Sequence, residues 1–206
     1  STLGPVRWNR FFEDLEDQLA AEWEAERAAL DSEAERVRVA RLTLRERLVS
    51  LAAGDGASVV VELADGSTLD AAAGDVGADW MSLRTGAGDV VLVPLAAIRS
   101  IAAAHEQLLR SARPVGAESR LAQRVTFGFA LRDLARRRVS ITLGLSSGRA
   151  LTGTIDRVGA DHLDLAQHDL SSPRRSSEVT AFRILHFEAV CWVRVDASMR
   201  GSAIEL

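Results

Sequence analysis

The sequence predicts an α+β protein in which an N-terminal amphipathic helix precedes two copies of a small five-stranded β-unit, each with a helix in front of it. Three observations carry this prediction. Apolar residues near the N-terminus recur at spacings of three and four, which is the period of a helix. The octet VGADWMSL at 76–83 returns as VGADHLDL at 158–165. Alternating apolar residues, typical of half-buried strands, surround both octets.

The N-terminal segment, residues 1–42, is predicted to form the acidic helix, because ten acidic side chains and only four arginines lie in residues 1–36. Two interpretations stay open: the helix packs on its own domain or a sister chain, or it docks into the groove of a protein partner. Two possible capping boxes, Ser32 with Glu35 and Thr43 with Glu46, suggest that the helix breaks and restarts. The candidate partner-binding residues are its large apolar side chains, Trp8, Phe11, Phe12, Leu15, Leu19 and Trp23.

The two β-units are predicted to span residues 43–103 and 120–195, joined by a linker at 104–119 and followed by a tail at 196–206. Their first three strands match at an offset of 82, from the turns Asp65-Gly66 and Ser147-Gly148 through the two octets. Their last strands, LVPLAAIRSI and ILHFEAVCWV, match at an offset of 92. The second unit therefore holds ten extra residues, which we place in an inserted loop at 167–182. Five short alternating strands can curl into a small closed barrel that hides its edges.

The second copy, VSITLGLSSGRALTGTIDRVGADHLDL, places Leu145, Gly148, Leu151, Gly153, Ile155 and Val158 where the first Sm motif places its apolar and glycine positions. Each unit therefore resembles the Sm-like (SH3-like) barrel of Sm, LSm and Hfq-type proteins. The whole chain is also similar to a family of high-GC bacterial proteins to which no function is attached. The resemblance implies two five-stranded Sm-like barrels and RNA or a ribonucleoprotein as partner.

Sm-like units pair by their edge strands, so the resemblance also implies pairing within the chain or a homo-oligomer. The Pro94 break and the inserted loop make the two edges unequal, which favours a defined internal pair.

The usual RNA-binding residues of Sm proteins are largely replaced in this sequence. The expected Asn is missing from both octets, and Val93-Pro94 and Leu185-His186 stand where Arg-Gly is expected. Trp80 and His162 could stack on bases instead, although Trp80 could equally plug the end of a barrel. An arginine-rich stretch is the candidate phosphate-binding surface, and the alternatives are a solvated helix face or a surface for the acidic helix. Its residues are Arg120, Arg124, Arg132, Arg136, Arg137 and Arg138, with Arg174 and Arg175 in the inserted loop.

The remaining composition excludes several classes of protein. No apolar run approaches the roughly 18 residues that span a bilayer, so we expect a cytoplasmic protein without a membrane partner. One cysteine, Cys191, excludes an internal disulfide, and the four histidines have no ligand-like spacing, so no metal is expected. The sequence carries no Walker loop, GxGxxG or GxSxG, and we expect no cofactor and no enzymatic activity.

Two functions remain open after these exclusions. The first is a non-enzymatic protein that binds RNA or a ribonucleoprotein through its arginine-rich second half. The second is a protein-interaction scaffold or regulatory adaptor that docks through its acidic aromatic N-terminal helix and binds no nucleic acid.

Overall fold

The computed structural model describes residues 6–53, 56–113, 122–169 and 179–195, with the side chains of 6–12, 14 and 122 left outside the description. The chain divides into two compact units, Ser1–Leu42 and Thr43–Leu206, and each is described by itself. Among the described helices, none combines the length and the apolar character that crossing a membrane requires. The cytoplasmic location stays a prediction.

The first unit contains one helix, α1, which spans Val6–Arg41 without interruption. The capping box predicted at Ser32 and Glu35 therefore does not end a helix. Instead Arg38 donates to Glu35 along the helix surface at 2.9 Å, from Nε to Oε2. The second predicted capping box is confirmed at the start of the next helix, where the Glu46 N–H donates to Thr43 Oγ1 and the Thr43 N–H donates to Glu46 Oε2.

The second unit holds three helices and ten strands. In chain order they are α2 (Leu44–Ala52), β1 (Ser58–Leu63), β2 (Thr68–Val76), β3 (Trp80–Thr85), β4 (Val90–Pro94), β5 (Ile98–Ala103), α3 (His105–Ser111), α4 (Phe127–Arg136), β6 (Ser140–Leu145), β7 (Ala150–Val158), β8 (His162–Gln167), β9 (Ala181–His186) and β10 (Val190–Val195). Short 3₁₀ turns lie at Leu95–Ala97, Ala122–Arg124 and Phe187–Ala189.

The helix predicted over residues 121–138 is divided in the structure. A 3₁₀ turn at Ala122–Arg124 is followed by a separate helix that starts after Thr126, whose hydroxyl accepts from the Phe129 N–H. Thr is a preferred N-cap residue because its side chain satisfies a backbone donor that has no partner within the helix. A short helix, α3, also lies in the predicted linker, where Arg47 donates to Ser111 Oγ and to the Leu108 carbonyl.

The strands form one sheet in the order β5-β1-β2-β3-β4-β10-β6-β7-β8-β9. In each half, four strands follow one another as a meander, and the fifth returns to pair with the first. We call α2 through β5 the first repeat and α4 through β10 the second repeat. The observed registers repeat as the sequence predicts: Val61 opposes Ile101, and Leu143 opposes Val193. The duplication is therefore a duplication of strand topology.

The predicted pair of separate five-stranded barrels is not what the sheet shows. The ten strands form one antiparallel sheet that is not closed, with β5 at one edge and β9 at the other. The reason is that β4 pairs with β10 of the other repeat, with Leu92 opposite Val193. The α+β class and the leading helix are confirmed, and the two repeats share one sheet.

The core of the second unit divides into two clusters that do not respect the repeat boundary. One cluster is built on α4 and the second repeat, yet it includes Trp80 and Leu92 of the first repeat. The other lies under α2 and the first repeat, and Trp192 of the second repeat packs against it. Each repeat therefore completes its core with side chains from the other.

Candidate functional site

The junction between the repeats, which we call the seam, is built first from backbone pairing of β4 with β10. Leu92, Val91 and Val90 lie opposite Val193, Arg194 and Val195. Leu92 is 4% exposed, and Val193 is fully buried. Apolar burial of this kind stabilises by about 25 cal/mol per Å², so the seam joins the repeats firmly.

A second contact of the seam attaches the turn of the first octet to the start of α4. Asp79 Oδ1 accepts from the Phe127 N–H at 2.6 Å, and the Trp80 indole N–H donates to the Val125 carbonyl at 2.9 Å. The backbone N–H of Ala78 donates to the same carbonyl at 2.8 Å. The Trp80 ring is almost fully buried, so this turn fastens the first repeat onto the second.

A third contact of the seam joins the β1–β2 turn to β10. The Trp192 indole N–H donates to Asp65 Oδ2 at 2.9 Å, and the Arg194 guanidinium lies 5.0 Å from the Trp192 ring centre. Burial raises the pKa of Asp65, but hydrogen bonds from Ser67 and Trp192 outweigh it and hold the pKa below its ordinary value. The ionised carboxylate is therefore the form that the seam stabilises.

The edge strand β9 exposes large apolar side chains. Phe182 is 70% exposed and Ile184 is 77% exposed, although both lie on a regular strand paired to β8 on its inner side. An edge strand with exposed apolar residues is a surface on which another chain can pair. The sequence reasoning missed these residues because it assigned Phe182 to the inserted loop. Their signal was the offset of 92, which matches 182–184 with the seam residues 90–92.

The turn of the second octet stands beside that edge and carries an exposed charged cluster. His162 Nδ1 lies 2.8 Å from Asp161 Oδ1, and His186 Nε2 lies 3.7 Å from Asp161 Oδ2. The hydrogen bond with His162 lowers the pKa of Asp161. Arg132 of α4 donates to the Gly159 carbonyl at 2.8 Å, just as Arg45 of α2 donates to the Gly77 carbonyl at 2.7 Å. An arginine of the preceding helix thus positions each octet.

Most of the described arginines predicted to bind phosphate are engaged with carboxylates or carbonyls. Arg136 and Arg137 both pair with Asp133, Arg138 lies 3.5 Å from Asp156, and Arg132 holds the Gly159 carbonyl. Arg124 is exposed on its 3₁₀ turn. Arg120, Arg174 and Arg175 lie outside the described residues.

The two predicted stacking residues occupy different environments. Trp80 is buried among core residues of the second repeat, so its ring offers no face to a base. His162 stays exposed, with its side chain 45% accessible. The structure therefore brings only His162 and the α4 arginines together, through the bond between Arg132 and Gly159.

The predicted docking residues of α1 are exposed wherever the structure describes their side chains. Leu15, Leu19 and Trp23 are 43%, 48% and 65% exposed, and Leu30, further along the helix, is 65% exposed. The side chains of Trp8, Phe11 and Phe12 lie outside the description. Because these apolar residues follow a spacing of four and then seven, they share a stripe along the helix.

The described residues offer little chemistry beyond these contacts. A cleft of about 550 Å³ lies between α2 and α4, with Ala73, Leu92 and Leu134 among its walls. In the described ranges no group of three or more His, Cys, Asp or Glu is placed to hold a metal ion. Burial raises the pKa of the Cys191 thiol, which opposes formation of a reactive thiolate.

No family model, no curated protein and no solved structure matches the chain.

Proposed function

We propose that the chain is a non-enzymatic protein-interaction scaffold, in which two Sm-like repeats form a rigid body with apolar surfaces that receive protein partners. The exposure of Phe182 and Ile184 on an edge strand carries this proposal. Such residues supply side-chain contacts, and the open backbone of the edge supplies hydrogen bonds, which together make up recognition by strand addition. The apolar stripe of α1 is the second docking surface.

The Sm-like character of the repeats is part of the same proposal. Three features support it: the strand order with the fifth strand returning to the first, the helix ahead of each repeat, and the 3₁₀ turn before each last strand. The long second strands, β2 and β7, each shift register near their ends, between Ala73 and Val76 and between Ile155 and Arg157. Such irregularities bend a strand and are typical of small barrels.

Binding of single-stranded RNA is the second candidate, and one observation favours it. Arg132 links α4 to the turn that exposes His162, which places an aromatic ring beside a basic helix. That arrangement combines base stacking with phosphate attraction. It ranks second because Asp133, Asp156 and Asp161 already neutralise much of this surface.

A photo-crosslinking experiment in cells tests the scaffold. A photoreactive phenylalanine analogue replaces Phe182 or Trp23 in the full chain, and the attached molecules are identified. The scaffold predicts protein adducts at both positions. The matched control replaces Phe129, which is 54% exposed on α4 and outside both surfaces. Adducts at Phe129 as abundant as those at Phe182 and Trp23 would contradict the proposal.

A salt titration tests the second candidate. Binding of a short labelled single strand should weaken steeply as salt rises if phosphates are contacted. Arg124→Glu together with His162→Ala should then lower affinity by roughly ten-fold or more, since stacking and a phosphate contact are both removed. Arg99→Glu, an exposed arginine on β5, is the matched control. No binding at low salt would discard the RNA candidate.

A further inference from the structure

The two free edges of the sheet are the repeat equivalents of the two strands that meet at the seam. The register of β8 with β9 pairs Asp164 with Ile184, as β3 with β4 pairs Ser82 with Leu92. The register of β1 with β5 pairs Val61 with Ile101, as β6 with β10 pairs Leu143 with Val193. The edge β9 is therefore a second β4, and the edge β5 is a second β10.

Exposure changes at equivalent positions as expected for an interface with one side missing. Leu92 is 4% exposed in the seam, whereas its equivalent Ile184 is 77% exposed. At the start of the helices, Phe127 is 2% exposed beneath the first octet, whereas Leu44, which follows the N-cap Thr43 as Phe127 follows Thr126, is 47% exposed. The apolar residues that the seam buries inside the chain are thus left uncovered at its two ends.

The edge of β5 is also open to pairing in the described part of the chain, where no strand lies on its outer side. The helix that follows it, α3, packs on α2 instead, through the bonds of Arg47 to Ser111 and Leu108. Ile101 and Ala103 on this strand are half-buried, while their seam equivalents Val193 and Val195 are buried.

We propose that the β9 edge of one chain pairs antiparallel with the β5 edge of a second copy, in the register of the seam. Phe182, Arg183 and Ile184 then lie opposite Ala103, Ala102 and Ile101 of that copy. The partner class in this inference rests on the proposed scaffold function. Asp161 takes the place of Asp79 in the new junction and accepts from the N–H of the copy's Leu44, the first residue of α2. That N–H has no partner within its own helix.

The contact is heterologous, since each chain uses a different surface at its two ends, and a series of such contacts gives a ring if the rotation closes. It is weaker than the seam because two seam contacts have no counterpart. His162 stands where Trp80 fastens the seam, and Ser147 and Ser100 stand where Asp65 and Trp192 join. Association should therefore be reversible and depend on concentration.

Sedimentation equilibrium of the full chain, 22.2 kDa per copy, tests the pairing. The wild-type chain should sediment above the monomer mass. Ile184→Asp blocks the β9 side, and Leu44→Asp blocks the α2 and β5 side; each should raise the dissociation constant by at least about 30-fold. Both residues are exposed, so neither change disturbs the fold of one chain. Phe129→Asp is the matched control and should leave the mass unchanged.

Mixing the two blocked chains gives the sharper outcome. Each retains one intact surface, so an equal mixture should form a one-to-one heterodimer while each variant alone stays monomeric. A wild-type chain that stays monomeric at high concentration would overturn the inference, while crosslinks to other proteins would leave the scaffold proposal intact. If only Ile184→Asp dissociates the assembly, β9 pairs with β9 and the inference is overturned. If neither edge variant changes the mass but deletion of residues 1–42 does, α1 drives association and the inference is again overturned.

Discussion

Single residues in the two octets explain why their glycines recur. A Cβ at Gly77 would overlap the Trp80 ring, and a Cβ at Gly159 would overlap the His162 ring. In each turn the glycine N–H also donates to the carbonyl of the residue that bears that ring. The glycines therefore make room for a ring that folds back over the turn, whether the ring is buried or exposed.

Gly153 is the glycine whose replacement should cost most in the second repeat. A Cβ there would collide with the Ala166 carbonyl in the neighbouring strand β8, and backbone atoms cannot move aside as a flexible side chain can. Gly153→Ala should lower the free energy of unfolding by about 1–3 kcal/mol, as overpacking usually does. Urea denaturation measures it. Gly86→Ala, where a Cβ meets nothing within 4 Å, is the control, and an equal loss there would contradict the steric explanation.

Asp79 and Asp161 are equivalent residues with different expected effects. Asp79 caps α4, so Asp79→Ala should lower the free energy of unfolding by about 1 kcal/mol. Asp161 is exposed within the chain, so Asp161→Ala should leave that free energy nearly unchanged. Thermal or urea unfolding of both variants at low protein concentration measures the difference. Equal losses of stability would show that Asp79 does not act as a cap.

The fate of the arginines shows what residue-level sequence reasoning could and could not foresee. Asp133 precedes Arg136 by three positions and Arg137 by four, a spacing at which opposite charges pair on a helix, so their neutralisation was predictable. The burial of Trp80 was not, because its acceptor, the Val125 carbonyl, lies 45 residues away and meets it only across the seam.

At the scale of elements, local signals predicted helix starts better than helix ends. The Thr43 box starts α2 because its bonds join residues three apart. The same pattern at Ser32 did not stop α1, since the residues around it, such as Ala34, Glu35 and Arg36, all favour continued helix. Strand pairing within each repeat followed from alternation and turns, whereas the pairing of β4 with β10 depends on contacts about 100 residues apart.

The tie between the β1–β2 turn and β10 predicts a pH dependence of stability. The folded state holds the pKa of Asp65 below 3.8, so the ionised carboxylate stabilises the fold fully above that value, and the contribution is lost as pH falls through the folded pKa. Asp65→Asn should lower the free energy of unfolding by about 1 kcal/mol at pH 7, because its hydrogen bonds lose their charge.

Urea denaturation across pH 7 to about pH 3 measures that effect, since the difference between wild type and variant should shrink as Asp65 is protonated. Asp70→Asn, at an exposed position on β2, is the control and should be neutral throughout. A difference that grew on acidification would reverse the sign that the seam geometry requires.

At the scale of the molecule, the repeats behave as one body because each completes the core of the other. Trp80 belongs to the first repeat by sequence but packs with Leu131 and Leu163 of the second. Trp80→Ala should therefore lower the free energy of unfolding by about 3–5 kcal/mol and destabilise both repeats together. Circular dichroism and tryptophan fluorescence should report one shared transition. Two separate transitions in the wild-type chain would show that the repeats fold independently.

The central claim is that one strand-pairing surface is used inside the chain and again between chains. Amide hydrogen exchange of the assembled wild-type chain, compared with Ile184→Asp, tests it most directly. We predict that amides in Ile98–Ala103 and Ala181–His186 exchange slowly in the assembly and that both stretches exchange faster in the variant, whereas those in Val90–Pro94 and Val190–Val195 stay protected in both. Slowing in Ala181–His186 without slowing in Ile98–Ala103, or loss of protection in Val90–Pro94 on dissociation, would contradict the claim.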